Sequence, residues 1–137
     1  MINHDVKNAP FNTTIYFIDV VSGQVVKKYE LEDLITDAAE NLLLSKELSG
    51  CKYLEFRNEK LHVVDYGLDC IFVLDYSGTE SQMFGKRGVK EGEFRDPTGI
   101  VVDDLGTMLV SDSRNNRIQV FSNDLEYVGT ATIQVRN

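Results

Sequence analysis

Along the C-terminal third of the chain, apolar positions come in short runs broken by turn residues. The runs are 99–103, 107–111, 117–121 and 127–133, and the breakers are Asp104-Leu105-Gly106, Arg114-Asn115-Asn116 and Ser122-Asn123-Asp124. Asn and Asp tolerate left-handed backbone and bond their own main chain, so these clusters are turns with a mechanism. Val, Ile, Phe and Tyr fill the runs, as strands prefer. The pattern predicts four short antiparallel strands.

The pattern repeats. Laid over 111–120, residues 64–73 put Asp65 on Asp112, Ile71 on Ile118 and Val73 on Val120 at an offset of 47. Phe84-Gly85 falls on Val128-Gly129 at an offset of 44, so the last connection is three residues shorter in the second copy. Ile15-Tyr16-Phe17-Ile18-Asp19 echoes Ile71-Phe72-Val73-Leu74-Asp75 at an offset of 56, and Ser22-Gly23 echoes Ser77-Gly78. Strand quartets at this period predict propeller blades. The expected fold class is all-β, a partial propeller of four-stranded antiparallel blades, with Ile118 as a core strand position.

One stretch departs from it. Leu31, Leu34, Ile35, Ala38, Ala39, Leu42 and Leu43 share one face at helical spacing, with Glu32, Asp33, Asp37 and Glu40 opposite and Gly50 as a stop. Asp37 and Glu40 also fit a capping box that starts a shorter helix. A helical insert is expected near 31–47, its leucine stripe docked on the body of the protein. The layout is then an extension at 1–12, the outer strands of a partial blade at 13–30, an insert and linker at 31–50, a degenerate blade at 51–85 and a full repeat at 86–137.

Composition narrows the function classes. The 137 residues are 42% hydrophobic and 26% charged, which reads as globular. No apolar run approaches the roughly 20 residues of a membrane helix, so no membrane partner is expected. The start, MINHDVKNAP, lacks a basic region followed by an apolar stretch, so no signal peptide is expected. Cys51 and Cys70 make no disulfide framework, and a reducing, cytoplasmic location is the expectation. With His4 and His62 as the further soft ligands, no paired metal-ligand spacing exists. The net charge is −8, divided as −4 over 1–50, −3 over 51–83 and −1 over 84–137. A generic polyanion binder should be basic, so only the last third leaves room for a local basic patch.

The last copy closely resembles the NHL repeat. The resemblance is carried by Phe84-Gly85, Gly92-Glu93-Phe94, Pro97-Thr98-Gly99-Ile100-Val101-Val102-Asp103, Gly106, Leu109-Val110-Ser111-Asp112-Ser113 and Asn115-Asn116-Arg117-Ile118-Gln119-Val120-Phe121. The copy at 51–85 keeps Asp65, Ile71, Val73 and Phe84-Gly85 but has Cys70 where the repeat expects Arg. The resemblance implies a β-propeller, and the loop at 86–96 with the Asn-Asn-Arg turn looks most like the TRIM-NHL branch of ubiquitin ligases and translational regulators. About two and a half blades are present, whereas closed propellers need at least about four. The chain is therefore a fragment, a truncated product, or one that closes by association with itself or another chain. No RING, B-box or coiled coil is present to supply ligase activity.

Strand parity places candidate residues. If four strands run up and down, the second-to-third turn and the blade-to-blade connection lie at one end. Arg114, Asn115, Asn116 and Arg117 then share a face with Lys86, Arg87, Lys90 and Arg95. The acids on those loops are Glu91, Glu93, Asp96 and Asp112, a local balance of +2. The resemblance implies that RNA-binding relatives use this face, with Arg and Lys on phosphate and Asn on base edges. The same residues also have structural readings. Arg117 with Asp112 can tie strands by a charge-assisted hydrogen bond, Asn115-Asn116 can be a plain turn, and the Lys and Arg of the connection can belong to a solvated loop. Asp69 and the acidic insert would repel a phosphate chain crossing both blades. No Ser-His-Asp spacing, phosphate-binding glycine loop or metal cluster points to catalysis, and the metal sites of NHL-like secreted enzymes need histidines that are missing here. The expected function is non-enzymatic binding of protein partners without a cofactor. The alternative is sequence-selective recognition of single-stranded RNA by this face.

Overall fold

The computed structural model describes residues 14–30, 51–77 and 81–132. The insert expected at 31–47 and the extension at 1–12 lie outside the described residues. Strands β1 (Thr14–Ile18) and β2 (Val25–Glu30) form an antiparallel pair. Strands β3 (Cys51–Arg57), β4 (Lys60–Asp65), β5 (Cys70–Asp75) and β6 (Ser81–Phe84) make a four-stranded sheet in sequence order. Strands β7 (Pro97–Val102), β8 (Met108–Asp112), β9 (Arg117–Phe121) and β10 (Tyr127–Thr132) make another. The strands expected in the last copy match β7 to β10 to within two residues at each end. The first strands of the two full sheets, β3 and β7, lie together, as the inner strands of neighbouring propeller blades do. The described part is two blades and the two-stranded remainder of a third.

Turn chemistry fixes the register. Asn58 and Glu59 both have positive φ, 55° and 58°, in the two-residue turn that joins β3 to β4. That is the turn whose twist matches a hairpin. The β4–β5 and β8–β9 turns are each four residues long, since Asp65 pairs with Cys70 and Asp112 with Arg117. Both end on a left-handed residue, Asp69 at φ 54° and Asn116 at φ 52°. The offset of 47 read from the sequence is therefore visible in the backbone.

The central sheet is packed on both faces, because alternate residues of a strand point to opposite sides. Leu61, Val63, Cys70, Phe72 and Leu74 bury with Ile15 of β1. Val64, Ile71 and Val73 bury against Ile100, Val102, Met108, Val110 and Phe121 of the last sheet, with Phe94 between. Each such large side chain contributes about 1.5–3 kcal/mol on burial. Phe17, Phe56 and Tyr76 form an edge-to-face cluster with centroids 4.9–5.7 Å apart. Lys27 lies over the Tyr76 ring and donates to its carbonyl, which ties β2 to the central sheet.

Ile118 differs from expectation. The inward parity of β9 belongs to Gln119 and Phe121, which are buried, and Ile118 is half-buried on the opposite face. That outer face also carries Val101 and Leu109, exposed to 60% and 41%.

Candidate interaction face

The parity expectation holds in the structure. The 113–116 turn meets the 85–96 connection, where the Arg114 amide donates to the Arg95 carbonyl at 3.1 Å and Asn115 Nδ2 to the Gly88 carbonyl at 3.0 Å. The connection is a compact loop. Within it, the Phe94 amide donates to the Lys86 carbonyl at 2.8 Å and the Gly88 amide to the Phe94 carbonyl at 3.0 Å. Phe94 is fully buried, with its ring 5.6 Å from Phe121 and 6.2 Å from Phe84. Gly85 lets this ring in: its φ is 89°, and a Cβ there would lie inside the ring's contact distance.

Two buried polar side chains, Asp112 and Gln119, and the half-buried Arg117 hold the loop to its own blade. Arg117 Nε donates to Asp112 Oδ2 at 2.7 Å, and its terminal nitrogens donate to the carbonyls of Val89, Lys90 and Glu93 at 2.7–3.0 Å. Gln119 accepts from the Gly92 amide at 2.8 Å and donates to the Glu93 carbonyl at 2.7 Å and to Asp112 at 3.2 Å. Asp112, with no exposed surface, also accepts from the Arg95 amide at 2.7 Å and from Asn115 Nδ2 at 2.9 Å. A buried carboxylate persists because its oxygens are filled by donors. On the neighbouring blade, Asp69 accepts from the Asp96 amide at 2.7 Å, which sews the loop across the blade boundary.

The expected residues thus divide. Arg117 and Asn115 point into the scaffold, and Arg95 offers its backbone to Asp112. Lys86, Arg87 and Arg114 project outward, with side chains 79%, 75% and 66% exposed. Lys90 and Asn116 are exposed as well. The cations are interleaved with carboxylates: Arg114 stands 3.5 Å from Asp96, Lys86 3.8 Å from Glu93 and Arg87 4.0 Å from Asp69. Val89 stands among them at the loop tip, 63% exposed. Sequence reasoning missed the roles of Gln119 and Val89, and it weighed Asp69 only as a repelling charge and not as the acceptor that fastens the loop. The signal for Gln119 was an amide at the same strand parity as Phe121. Among the described residues no group of three or more His, Cys, Asp or Glu is placed to hold a metal ion.

Comparison with known proteins agrees with this architecture. The NHL repeat family model matches residues 94–121, from buried Phe94 to the end of β9. NHL repeat-containing protein 3 of Mus musculus is 31% identical over an alignment of 143 positions that takes in 90% of this chain and 40% of that protein. The B-box type zinc finger protein ncl-1 of Caenorhabditis elegans is 46% identical over 41 residues, 30% of this chain and 5% of that protein. Protein wech of Drosophila melanogaster is 46% identical over 48 residues, 35% of this chain and 6% of that protein. The chain therefore spans less than half the length of each of these relatives. A crystal structure of a Bacteroides fragilis protein superposes with a TM-score of 0.57 at 16% identity, covering 66% of this chain and 26% of that one, and shares the fold. The blade-to-blade packing, the repeated four-residue turns and the matched repeat identify residues 94–121 as an NHL repeat and the described residues as a partial NHL-type β-propeller, two blades and a two-stranded part of a third.

Proposed function

We propose that the chain is a non-enzymatic protein-interaction module of TRIM-NHL type, serving a ubiquitin-ligase or post-transcriptional regulator. Its contact surface is the face built from loop 85–96 and turn 113–116. One observation carries the reading: this loop is fixed by buried donors while its surface mixes paired charges with the exposed apolar side chain of Val89. A preorganised, charge-balanced surface with an apolar centre suits a protein partner, because little ordering entropy is lost on binding. The test is affinity purification from nuclease-treated extract with the native chain and with the Val89→Glu/Arg114→Glu variant. A partner retained by the first and lost by the second supports the reading. Partners indifferent to these substitutions refute it.

The RNA reading has one observation in its favour, the exposed Lys86, Arg87, Lys90 and Arg114 on one end of the blade. Four phosphate contacts on a single strand predict an affinity that falls about 50-fold between 50 and 200 mM salt. No retardation of a random single-stranded pool at low salt removes this alternative. Association of the chain with itself is the further partner proposed, through the apolar outer face around Val101 and Leu109. Light scattering over a concentration range tests it, and a constant monomer mass excludes it.

A further inference from the structure

Each blade has two faces, and the chain joins them in a fixed sense. The face of the central sheet that carries Phe72 and Leu74 packs on Ile15 and Phe17 of β1. Its other face, with Val64, Ile71 and Val73, packs on the face of the last sheet that carries Met108, Val110 and Phe121. A leading face thus meets the trailing face of the blade before it, twice in succession. Alternate residues of a strand point to opposite sides, so the same parity defines a trailing face on the last sheet and a leading face on the β1–β2 pair.

At the trailing end, the offset of 47 carries His62, Val64, Ile71 and Val73 onto Leu109, Ser111, Ile118 and Val120. The first four are each 5% exposed or less. Leu109 is 41% exposed, and Ser111, Ile118 and Val120 are half-buried. The same positions are sealed where a blade follows and open where none follows among the described residues. At the leading end, the offset of 56 carries Tyr16 and Ile18 onto Phe72 and Leu74. Phe72 and Leu74 are buried, whereas Tyr16 and Ile18 are 55% and 54% exposed. Val25, the cross-strand partner of Ile18, is exposed beside them.

We propose that this chain associates head to tail, the leading face of β1 and β2 in one copy seated on the trailing face of β8 and β9 in a second. Tyr16 and Ile18 take the place against Leu109, Ile118 and Val120 that Phe72 and Leu74 take against Ile15 and Phe17. A second copy is the occupant because this chain presents both halves of a contact that it already makes twice within itself. The proposal rests on the self-association through the Val101 and Leu109 face, and it names the surface which that face receives. The two halves are different surfaces, so the contact is heterologous: every pair keeps one open face of each kind and grows until the rotation closes a ring. Both faces are apolar, and the chains carry a net charge of −8, so added salt strengthens the contact by screening their repulsion.

Sedimentation of the full chain over a concentration range, native and with one face blocked at a time, tests the arrangement. Ile118→Glu blocks the trailing face and Tyr16→Glu the leading one, since a carboxylate buried without a partner weakens an apolar contact at least about tenfold. Leu109→Glu, at a more exposed position, is the second trailing variant, and amide spectra confirm that each variant is folded. The native chain is expected to associate. Each variant alone is expected to stay monomeric at concentrations where the native chain does not. Tyr16→Glu mixed with either trailing variant is expected to form a one-to-one pair and nothing larger, because one intact face of each kind remains. A native chain that stays monomeric overturns this proposal together with the self-association it rests on. Association that survives Tyr16→Glu but is lost in Ile118→Glu and Leu109→Glu keeps the self-association and overturns the head-to-tail arrangement, since two trailing faces then meet. Mixed variants that fail to pair, or association indifferent to all three substitutions, also overturn it.

Discussion

Replacing Arg117 by alanine tests the scaffold on which the interaction face rests. The substitution removes four donor contacts at 2.7–3.0 Å, one to a carboxylate with no exposed surface and three to loop carbonyls. Breaking a buried ion pair from one side costs about 3–5 kcal/mol, because a charge is left uncompensated. Asp112 keeps the Arg95 amide, Asn115 and Gln119 as donors, which places the loss at the lower end, about 3 kcal/mol. For a domain of this size that lowers Tm by roughly 10 °C. Urea melts measure the global loss. Limited trypsin digestion measures the local one, since Lys86, Arg87 and Lys90 put cleavage sites in the loop that Arg117 fastens. Faster cleavage there than elsewhere is expected. Arg117→Lys should fall between the two, because an ammonium cannot span four acceptors as the guanidinium fork does. A loss under about 1 kcal/mol with unchanged loop cleavage would refute the view that this arginine organises the face.

Gly85→Ala should destabilise by about 3 kcal/mol, from left-handed strain plus collision with the Phe94 ring; a neutral result in denaturant melts would mean the ring has another place to go. Phe121→Ala should cost about 3–5 kcal/mol and Ile118→Ala about 1 kcal/mol, and the reverse order would show that the parity of β9 is misassigned. His62 should make the protein less stable as pH falls. Its folded pKa lies below the ordinary 6.5, so the unfolded chain binds the proton first, and stability drops from about 6.5 down to the folded value. Stability curves of the native chain and His62→Gln should converge at low pH, and parallel curves would exclude the histidine as the cause.

The turns and the blade repeat were legible because their causes are local. Asn, Asp and Gly at 104–106, 113–116 and 122–124 carry their own backbone preferences, and a repeat of such turns sets strand spacing without reference to the core. The parity of β9 was not legible for a reason peculiar to propellers. A blade is covered on both faces, so Ile118 and Val120 are as apolar as a core requires while the packed face belongs to Gln119 and Phe121. Alternation distinguishes inside from outside only where one face meets water.

The interaction face shows a second limit, which concerns charge. Counting the loop residues gives +2, and that sum suggested a phosphate-binding surface. Distances change its meaning: three of the projecting cations stand within 4.0 Å of Asp96, Glu93 and Asp69. A sum of charges describes a surface only from distances greater than the spacing of its charges, and beyond roughly 8–10 Å at physiological salt even that sum is screened. A partner in contact meets individual pairs instead. Asp69 comes from the preceding blade and reaches the loop only through folding, as does the Gln119 oxygen that accepts from the Gly92 amide. Two of the compensating carboxylates, Glu93 and Asp96, lie in the loop and were already counted, and folding adds Asp69 from the preceding blade, so pairing at contact range and not the sum describes what this surface presents.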